Sequence, residues 1–274
     1  MNKSSKTLKK LLFFFKYNFL PKNFKKAFQI YPFIARLRFI LSSFIKNKQT
    51  IKLDNFELKI NLIDHPSRIL YSYLDNYEIE TILLCKDILE EGDIAIDIGA
   101  NVGYFSSIFN QSVGKNGVVH SFEPNPEVSE LLQENMKNFP SSRVHKLFVS
   151  NIDEEIRYTS PNLMSDRKLI NTVSINNFLN DKKVDLIKID IDGLDLLALK
   201  GCSKYLESSH KPNIIIEIGE NSEREHNIHY NEIFNYLEGL SYKPFYADST
   251  MTPFDLNTIK KNDVINVYFK PSQN

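Results

Sequence analysis

Cysteine is nearly absent: Cys85 and Cys202 are the only two in 274 residues. Both lie in apolar stretches with helical spacing, so they read as buried, reduced thiols. That excludes a disulfide framework or a cysteine zinc site and fits a cytoplasmic compartment. Long hydrophobic runs are missing too. A spanning helix needs about 20 mostly apolar residues, and the candidates are cut by Lys16 and by Arg36 and Arg38, so no transmembrane segment is expected. Nor does the start show the long apolar core and small-residue cleavage site of a signal peptide. Internal repeats are absent. The six histidines, His65, His120, His145, His210, His226 and His229, show no metal-ligand spacing, and no metal site is expected. Acidic residues are missing from residues 1–50, which hold 12 Lys and Arg. The whole chain has 34 of each sign, so residues 51–274 hold 22 basic and 34 acidic residues, a net of −12.

Hydrophobic residues make up 42% and charged residues 25%, an ordinary soluble composition. Lysines interleaved with Phe, Leu and Ile make residues 1–50 a basic amphipathic helical extension. It can cover part of a core, or lie on an anionic membrane surface at the inner face; nucleic acid is not expected as a partner. Residues 51–274 read as one domain, with its nucleotide-binding core from about residue 82. Residues 50–63 alternate as a hairpin turning at Asp54-Asn55, and 77–89 have helical spacing. Short apolar runs at 93–97, 117–122, 144–149, 184–191, 213–218, 242–247 and 264–270 then read as strands. Helical patterns fall at 102–113, after the Asn125-Pro126 cap, over 194–206 with an interruption at Gly201, and around Ile233–Leu240. Residues 151–179 are less regular, with room for a hairpin. Such alternation predicts an α/β, Rossmann-like doubly wound sheet with its ligand at the carboxyl ends of the strands.

Four motifs sit at those strand ends. In Asp97-Ile98-Gly99-Ala100-Asn101-Val102-Gly103, the glycines allow a sharp turn and a tight helix start, and the helix start offers backbone N–H donors. With the Asp97 carboxylate, these suit a ligand bearing both an ammonium and a carboxylate, such as the methionine part of S-adenosyl-L-methionine. A dinucleotide fingerprint would have glycine where Asn101 stands. Glu123, 20 residues beyond Gly103, is placed to accept hydrogen bonds from ribose hydroxyls. Asp190 and Asp192 share a face by period two; either can orient or deprotonate an acceptor, and Asp192 also reads as a helix N-cap. Glu217, inside an apolar strand, needs a polar partner, from a ligand or from Lys188. His226 and His229 follow that strand and can reach a substrate.

These motifs, with VVHSFEPNP, TVSINNFL and LIKIDIDGLDLLALKG, resemble the FkbM methyltransferases from about Tyr77 to Glu217. The resemblance implies a seven-stranded sheet with its last strand antiparallel, and methyl transfer from S-adenosyl-L-methionine to a hydroxyl oxygen. It implies that Asp97, Gly99, Asn101 and Gly103 hold the methionine part and Glu123 the ribose. Ser150 and Asn151 would then lie near the adenine. From the residues themselves, Asp190 is the expected catalytic base, and Asp192, Glu217 and His226 are expected to bind the acceptor. Where the family has Glu-Gly followed by Glu, this chain has Asp192-Gly193 and Asp195, and the segment FVSNID lacks a frequent alanine. The acceptors implied are sugars, glycans, lipids and polyketide-like molecules; the basic start favours a lipid-linked glycan or surface-polysaccharide precursor. A non-catalytic glycan-assembly protein that keeps the fold and a nicotinamide-dependent oxidoreductase are the alternatives.

Overall fold

A computed structural model describes residues 35–272, apart from 43, 45–47, 54–55, 64, 74–76, 159–167, 180–182, 192, 220–228 and 260–263. The chain divides into two compact units, Met1–Tyr77 and Glu78–Asn274.

The first unit contains a helix, α1, over residues 35–42. Strands β1 (Lys48–Leu53) and β2 (Phe56–Asn61) follow as an antiparallel hairpin, then helix α2 (His65–Tyr73). The alternating pattern of the hairpin works as expected: Ile51, Leu58 and Ile60 are buried, while Lys52 and Glu57 pair at the surface. Arg68 of α2 lies 4.3 Å over the Phe39 ring of α1 and donates to the Phe39 carbonyl at 3.2 Å.

The second unit opens with α3 (Ile79–Ile88) and runs through β3 (Ile94–Ile98), α4 (Tyr104–Val113), β4 (Val118–Phe122), α5 (Pro126–Met136) and β5 (Ser142–His145). A small three-stranded sheet follows: β6 (Phe148–Val149), β7 (Glu155–Tyr158) and β8 (Lys168–Val173), with β8 between the other two. Then come α6 (Ile175–Phe178), β9 (Leu186–Ile189), α7 (Asp195–Gly201), α8 (Ser203–Leu206), β10 (Asn213–Gly219), α9 (Tyr230–Gly239), β11 (Tyr242–Tyr246) and β12 (Val264–Pro271). The main sheet has seven strands in the order β11-β12-β10-β9-β3-β4-β5. The run from β10 to β5 is parallel, and β12, last in the sequence, is antiparallel to both β10 and β11.

The physical reasons are local. In β9 and β10 the residues Leu186, Ile187, Ile189, Ile214, Ile215 and Ile216 are all fully buried, as expected for strands covered on both faces. The α5 start is set by Asn125, whose side chain accepts from the Glu127 N–H, with Pro126 at the first helical position. Gly114, with φ 63°, ends α4. Cys85 and Cys202 are buried free thiols, their pKa pushed up by burial. Among the described residues, no helix is long and apolar enough to cross a membrane.

Three expectations need correction. The run 144–149 is not one strand: its pairing with β4 stops at His145, opposite Phe122 where β4 itself ends, and Phe148–Val149 pairs with β8 instead. The helix after β9 is not capped by Asp192, since its N-cap is Leu194 and its first residue is Asp195. Finally, β9 stops at Ile189, so strand alternation does not govern Asp190; Asp192 lies outside the described residues.

Candidate active site

The parallel register aligns Ser121 of β4, Asp97 of β3 and Lys188 of β9 side by side across the centre of the sheet. This polar row faces α4. Ser121 Oγ donates to Ser106 Oγ at 2.8 Å, and Ser106 Oγ donates to Asp97 Oδ2 at 2.6 Å. The other oxygen, Asp97 Oδ1, is buried and has no hydrogen-bond partner among the described residues. Burial pushes the Asp97 pKa above the ordinary carboxylate value, against the Lys188 ammonium and the Ser106 bond. A buried acceptor in that condition is a place for a positively charged donor.

Lys188 is 1% exposed. Its Nζ donates to Asp190 Oδ2 at 2.9 Å and lies 4.5 Å from the centre of the Phe105 ring. Burial acts against its charge, but the carboxylates of Asp190, Glu78 and Asp97 outweigh that penalty and hold its pKa above the usual lysine value. Lys188 is therefore the partner of Asp190, not of Glu217. Its signal was present in the sequence as a charged residue inside a fully apolar strand; the register that sets it beside Asp97 was not.

The loop from β3 to α4 is built by its glycines. Gly99 has φ +82°, and a Cβ there would collide with the Asp190 carbonyl oxygen. Its N–H and that of Ala100 both donate to the Phe122 carbonyl, at 3.0 and 2.9 Å. Gly103, with φ +92°, leaves room for Leu132 and Met136, whose methyl carbons would lie 2.7 and 2.8 Å from a Cβ. Asn101 sits in the left-handed region at φ 49°, and its N–H donates to Glu123 Oε2 at 3.1 Å. Glu123 Oε1 accepts from the Asn125 N–H at 2.8 Å, and the Glu123 N–H donates to the His145 carbonyl. Glu123 is thus buried and clamped between the β3–α4 loop and the start of α5.

Beyond β9, Asp195 was singled out in the sequence only as a shortened glutamate. It is fully buried, and its carboxylate accepts from Ile191 N–H at 3.3 Å and Gly193 N–H at 3.0 Å, which fixes the turn after β9. Burial, opposed by these backbone bonds, pushes its pKa up to about 7. Asp195 and the half-buried Glu217 line one small hollow with Gly193, Tyr230 and Ile233. His226 lies outside the described residues, and His229 caps α9, its ring accepting from the Asn231 N–H. Ser150 and Asn151 follow β6, not the edge strand of the main sheet. Ser150 is buried, its N–H donates to the Val173 carbonyl, and its own carbonyl presses against Gly201, where a Cβ would not fit. Asn151 is exposed. Among the described residues, no group of three or more His, Cys, Asp or Glu could hold a metal.

A parallel sheet with its last strand reversed, a glycine turn after the first central strand and an acidic residue after the second defines a Rossmann-like, nucleotide-binding class. Residues 97–244 match the methyltransferase FkbM domain, which is more than half of the chain, and the chain belongs to that family. The methyl donor that the family resemblance implies is S-adenosyl-L-methionine, and the residues present can be tested against it. The donor set fits: a bare buried Asp97 oxygen suits an ammonium, and the clamped Glu123 carboxylate suits ribose hydroxyls. A similar sequence is the hexuronic acid methyltransferase AglP of Haloferax volcanii, 27% identical over 154 residues. That match covers 52% of this chain and 62% of the relative. Solved structures with a similar course include an S-adenosylmethionine-dependent O-methyltransferase of Thermotoga maritima, with 13% identity and TM-score 0.45, covering 85% of this chain and 82% of that one. Another is the precorrin-6y C5,15-methyltransferase of Geobacter metallireducens, with 16% identity and TM-score 0.46, covering 73% and 90%.

Proposed function

We propose that this chain methylates a hydroxyl oxygen of a sugar, within a glycan or a lipid-linked glycan precursor. The observation that carries the cofactor half is the pairing of Asp97 Oδ1, buried and unbonded, with Glu123, clamped by the Asn101 and Asn125 N–H groups. The acceptor half is supported by the Haloferax relative, a hexuronic acid methyltransferase. S-adenosyl-L-methionine supplies an electrophilic methyl on a sulfonium. Asp97, Gly99, Asn101 and Gly103 hold its methionine part and Glu123 its ribose, while Ser150 and Asn151 border the adenine.

Methyl transfer from an activated donor asks the protein mainly for alignment and exclusion of water. In this reading Asp190, fixed through one oxygen by Lys188, uses the other to take the hydroxyl proton of the acceptor. Asp192, Glu217 and His226 bind the acceptor sugar.

Calorimetric titration with S-adenosyl-L-methionine, repeated on Glu123→Ala, tests the cofactor half. Charge-assisted hydrogen bonds of about 1.5–3 kcal/mol predict a loss of about tenfold to a hundredfold in affinity. Unchanged affinity would remove Glu123 from the ribose site. For the acceptor half, transfer of labelled methyl is compared on lipid-linked and free sugars. Label on nitrogen or carbon, or none on any sugar, would overturn it.

A further inference from the structure

Helix α3 starts on a residue that does little for the helix. Its N-cap is Glu78, held in the left-handed region at φ 48° and ψ 36°, where glycine or asparagine would sit with less strain. The Glu78 carbonyl accepts the first helical bond, from the Ile82 N–H at 3.0 Å, but its side chain makes no cap bond to the helix. Oε2 instead accepts from Asn266 Nδ2 of β12 at 2.6 Å, across 188 residues of chain. Asn266 leaves its own Oδ1 buried and without a hydrogen-bond partner among the described residues. A strained backbone at one end of this contact and an unmet acceptor at the other both cost stability.

The sheet register locates the contact. Lys188 is opposite Ile215 of β10, and Glu217, two residues on, is opposite Asn266 of β12. Side chains two apart share a face, so Asn266 stands on the Lys188 face, one step towards the carboxyl end of β10. The tether thereby brings Glu78 to the end of the sheet where Asp190 follows β9. Burial works against the Lys188 charge, and among the carboxylates that sustain it Glu78 ranks after Asp190 and ahead of Asp97. The ammonium nevertheless gives its hydrogen bond to Asp190, while the Glu78 carboxylate is tied to Asn266. A lysine stem is flexible and its ammonium is a point charge, so one hydrogen bond fixes it poorly and a second charge narrows its range. We infer that Glu78, tethered by Asn266, is a positioning residue for methyl transfer: it draws on the Lys188 ammonium from α3 without displacing Asp190, so that Asp190 meets the acceptor in one orientation. The consequence for Asp190 rests on the proposed function; the hold on Lys188 does not.

The test takes two readings on the full chain. The buried, hydrogen-bonded Lys188 ammonium should give a slowly exchanging nitrogen signal in NMR, identified by its loss in Lys188→Arg or Lys188→Met. Glu78→Gln keeps an oxygen for Asn266 but no charge, and Asn266→Leu removes the tether; each should shift that signal. Glu80→Gln, at an exposed carboxylate in the first turn of the same helix, should leave it in place. The second reading is transfer of labelled methyl to free and lipid-linked sugars. Glu78→Gln should lower kcat about tenfold while the acceptor KM changes by about twofold at most, and Glu78→Asp should recover part of the rate. Glu78→Gly separates positioning from scaffolding, because glycine relieves the left-handed backbone. Its thermal midpoint should hold or rise while kcat falls as in Glu78→Gln. An unmoved Lys188 signal in Glu78→Gln would overturn the inference. So would a moved signal with the parent's kcat, or a Glu78→Gly chain that loses midpoint and rate together. If no sugar takes label from the parent, the proposed acceptor fails, and the NMR comparison still decides whether Glu78 holds Lys188.

Discussion

Removing the ammonium of Lys188 should destabilise the second unit more than almost any other single side-chain change. Its Nζ lies 2.9 Å from Asp190 Oδ2, and the two side chains are 2% and 30% exposed. Breaking a buried pair by deleting one member costs about 3–5 kcal/mol, because the remaining charge is left uncompensated. Asp190 reaches water in part, which favours the lower end; but Lys188→Met also takes the counter-charge from Asp97 and Glu78. A loss of about 3 kcal/mol, at a denaturant slope of about 2 kcal/mol per M, lowers the urea midpoint by about 1.5 M. The double variant Lys188→Met/Asp190→Leu removes both charges and should recover part of that loss, a non-additivity read from a double-mutant cycle. The folded pKa of Lys188 is raised, so its contribution is complete below the unfolded value of about 10.4 and lost only as pH rises through the folded value. The deficit of Lys188→Met should therefore stay level across neutral pH. A midpoint within about 0.3 M of the parent would refute the buried pair as a structural element.

Gly99→Ala should lower the thermal midpoint and abolish cofactor binding, since its φ of +82° is strained for alanine and the Cβ meets the Asp190 carbonyl; a chain that melts and binds as the parent does would contradict the geometry. Asp97→Asn keeps an acceptor for Ser106 while removing a buried charge. Calorimetry should show about tenfold weaker cofactor binding or worse, with stability held within about 1 kcal/mol, and a large loss of stability with normal binding would reverse the assignment. Asp195 has a folded pKa near 7, above its unfolded value of about 3.9. Its stabilisation is thus complete below about pH 4 and lost as pH rises towards and past 7, and Asp195→Asn should flatten the stability–pH curve over that window, as followed by thermal melts.

What the sequence allowed to be read divides by physical cause. Strand–helix alternation, the Asn125-Pro126 cap and the Gly114 terminus are local signals, and each formed where local propensity put it. The glycine loop and Glu123 were legible for the same reason: positive φ at Gly99 and Gly103 requires glycine, and the acidic side chain follows a strand end. The break between β5 and β6 was marked in the sequence only by His145-Lys146, which a single strand over 144–149 can also carry on one edge; what ends β5 is the length of its neighbour β4. Lys188 was legible only as one of two partners open to Glu217, whereas the tertiary register and the bend after Ile189 bring Asp190 to it. Likewise Asp195 looked like a conservative shortening of a glutamate, and only the folded turn shows its carboxylate bonded to two backbone N–H groups.

The polar row also changes what Asp190 means for the chemistry. From spacing alone it is a carboxylate free to act as a base. In the folded chain Lys188 holds one of its oxygens, and the same lysine neighbours Asp97, one oxygen of which is buried and unbonded among the described residues. In the proposed reading, the cofactor and acceptor sides are thus joined through one buried ammonium. An anchored carboxylate loses freedom of position and gains directionality, which is what an in-line displacement demands of the group that meets the incoming hydroxyl. Changes at Lys188 should then disturb both cofactor affinity and methyl transfer, whereas changes at Glu217, across the hollow from Asp195, should act on the acceptor alone.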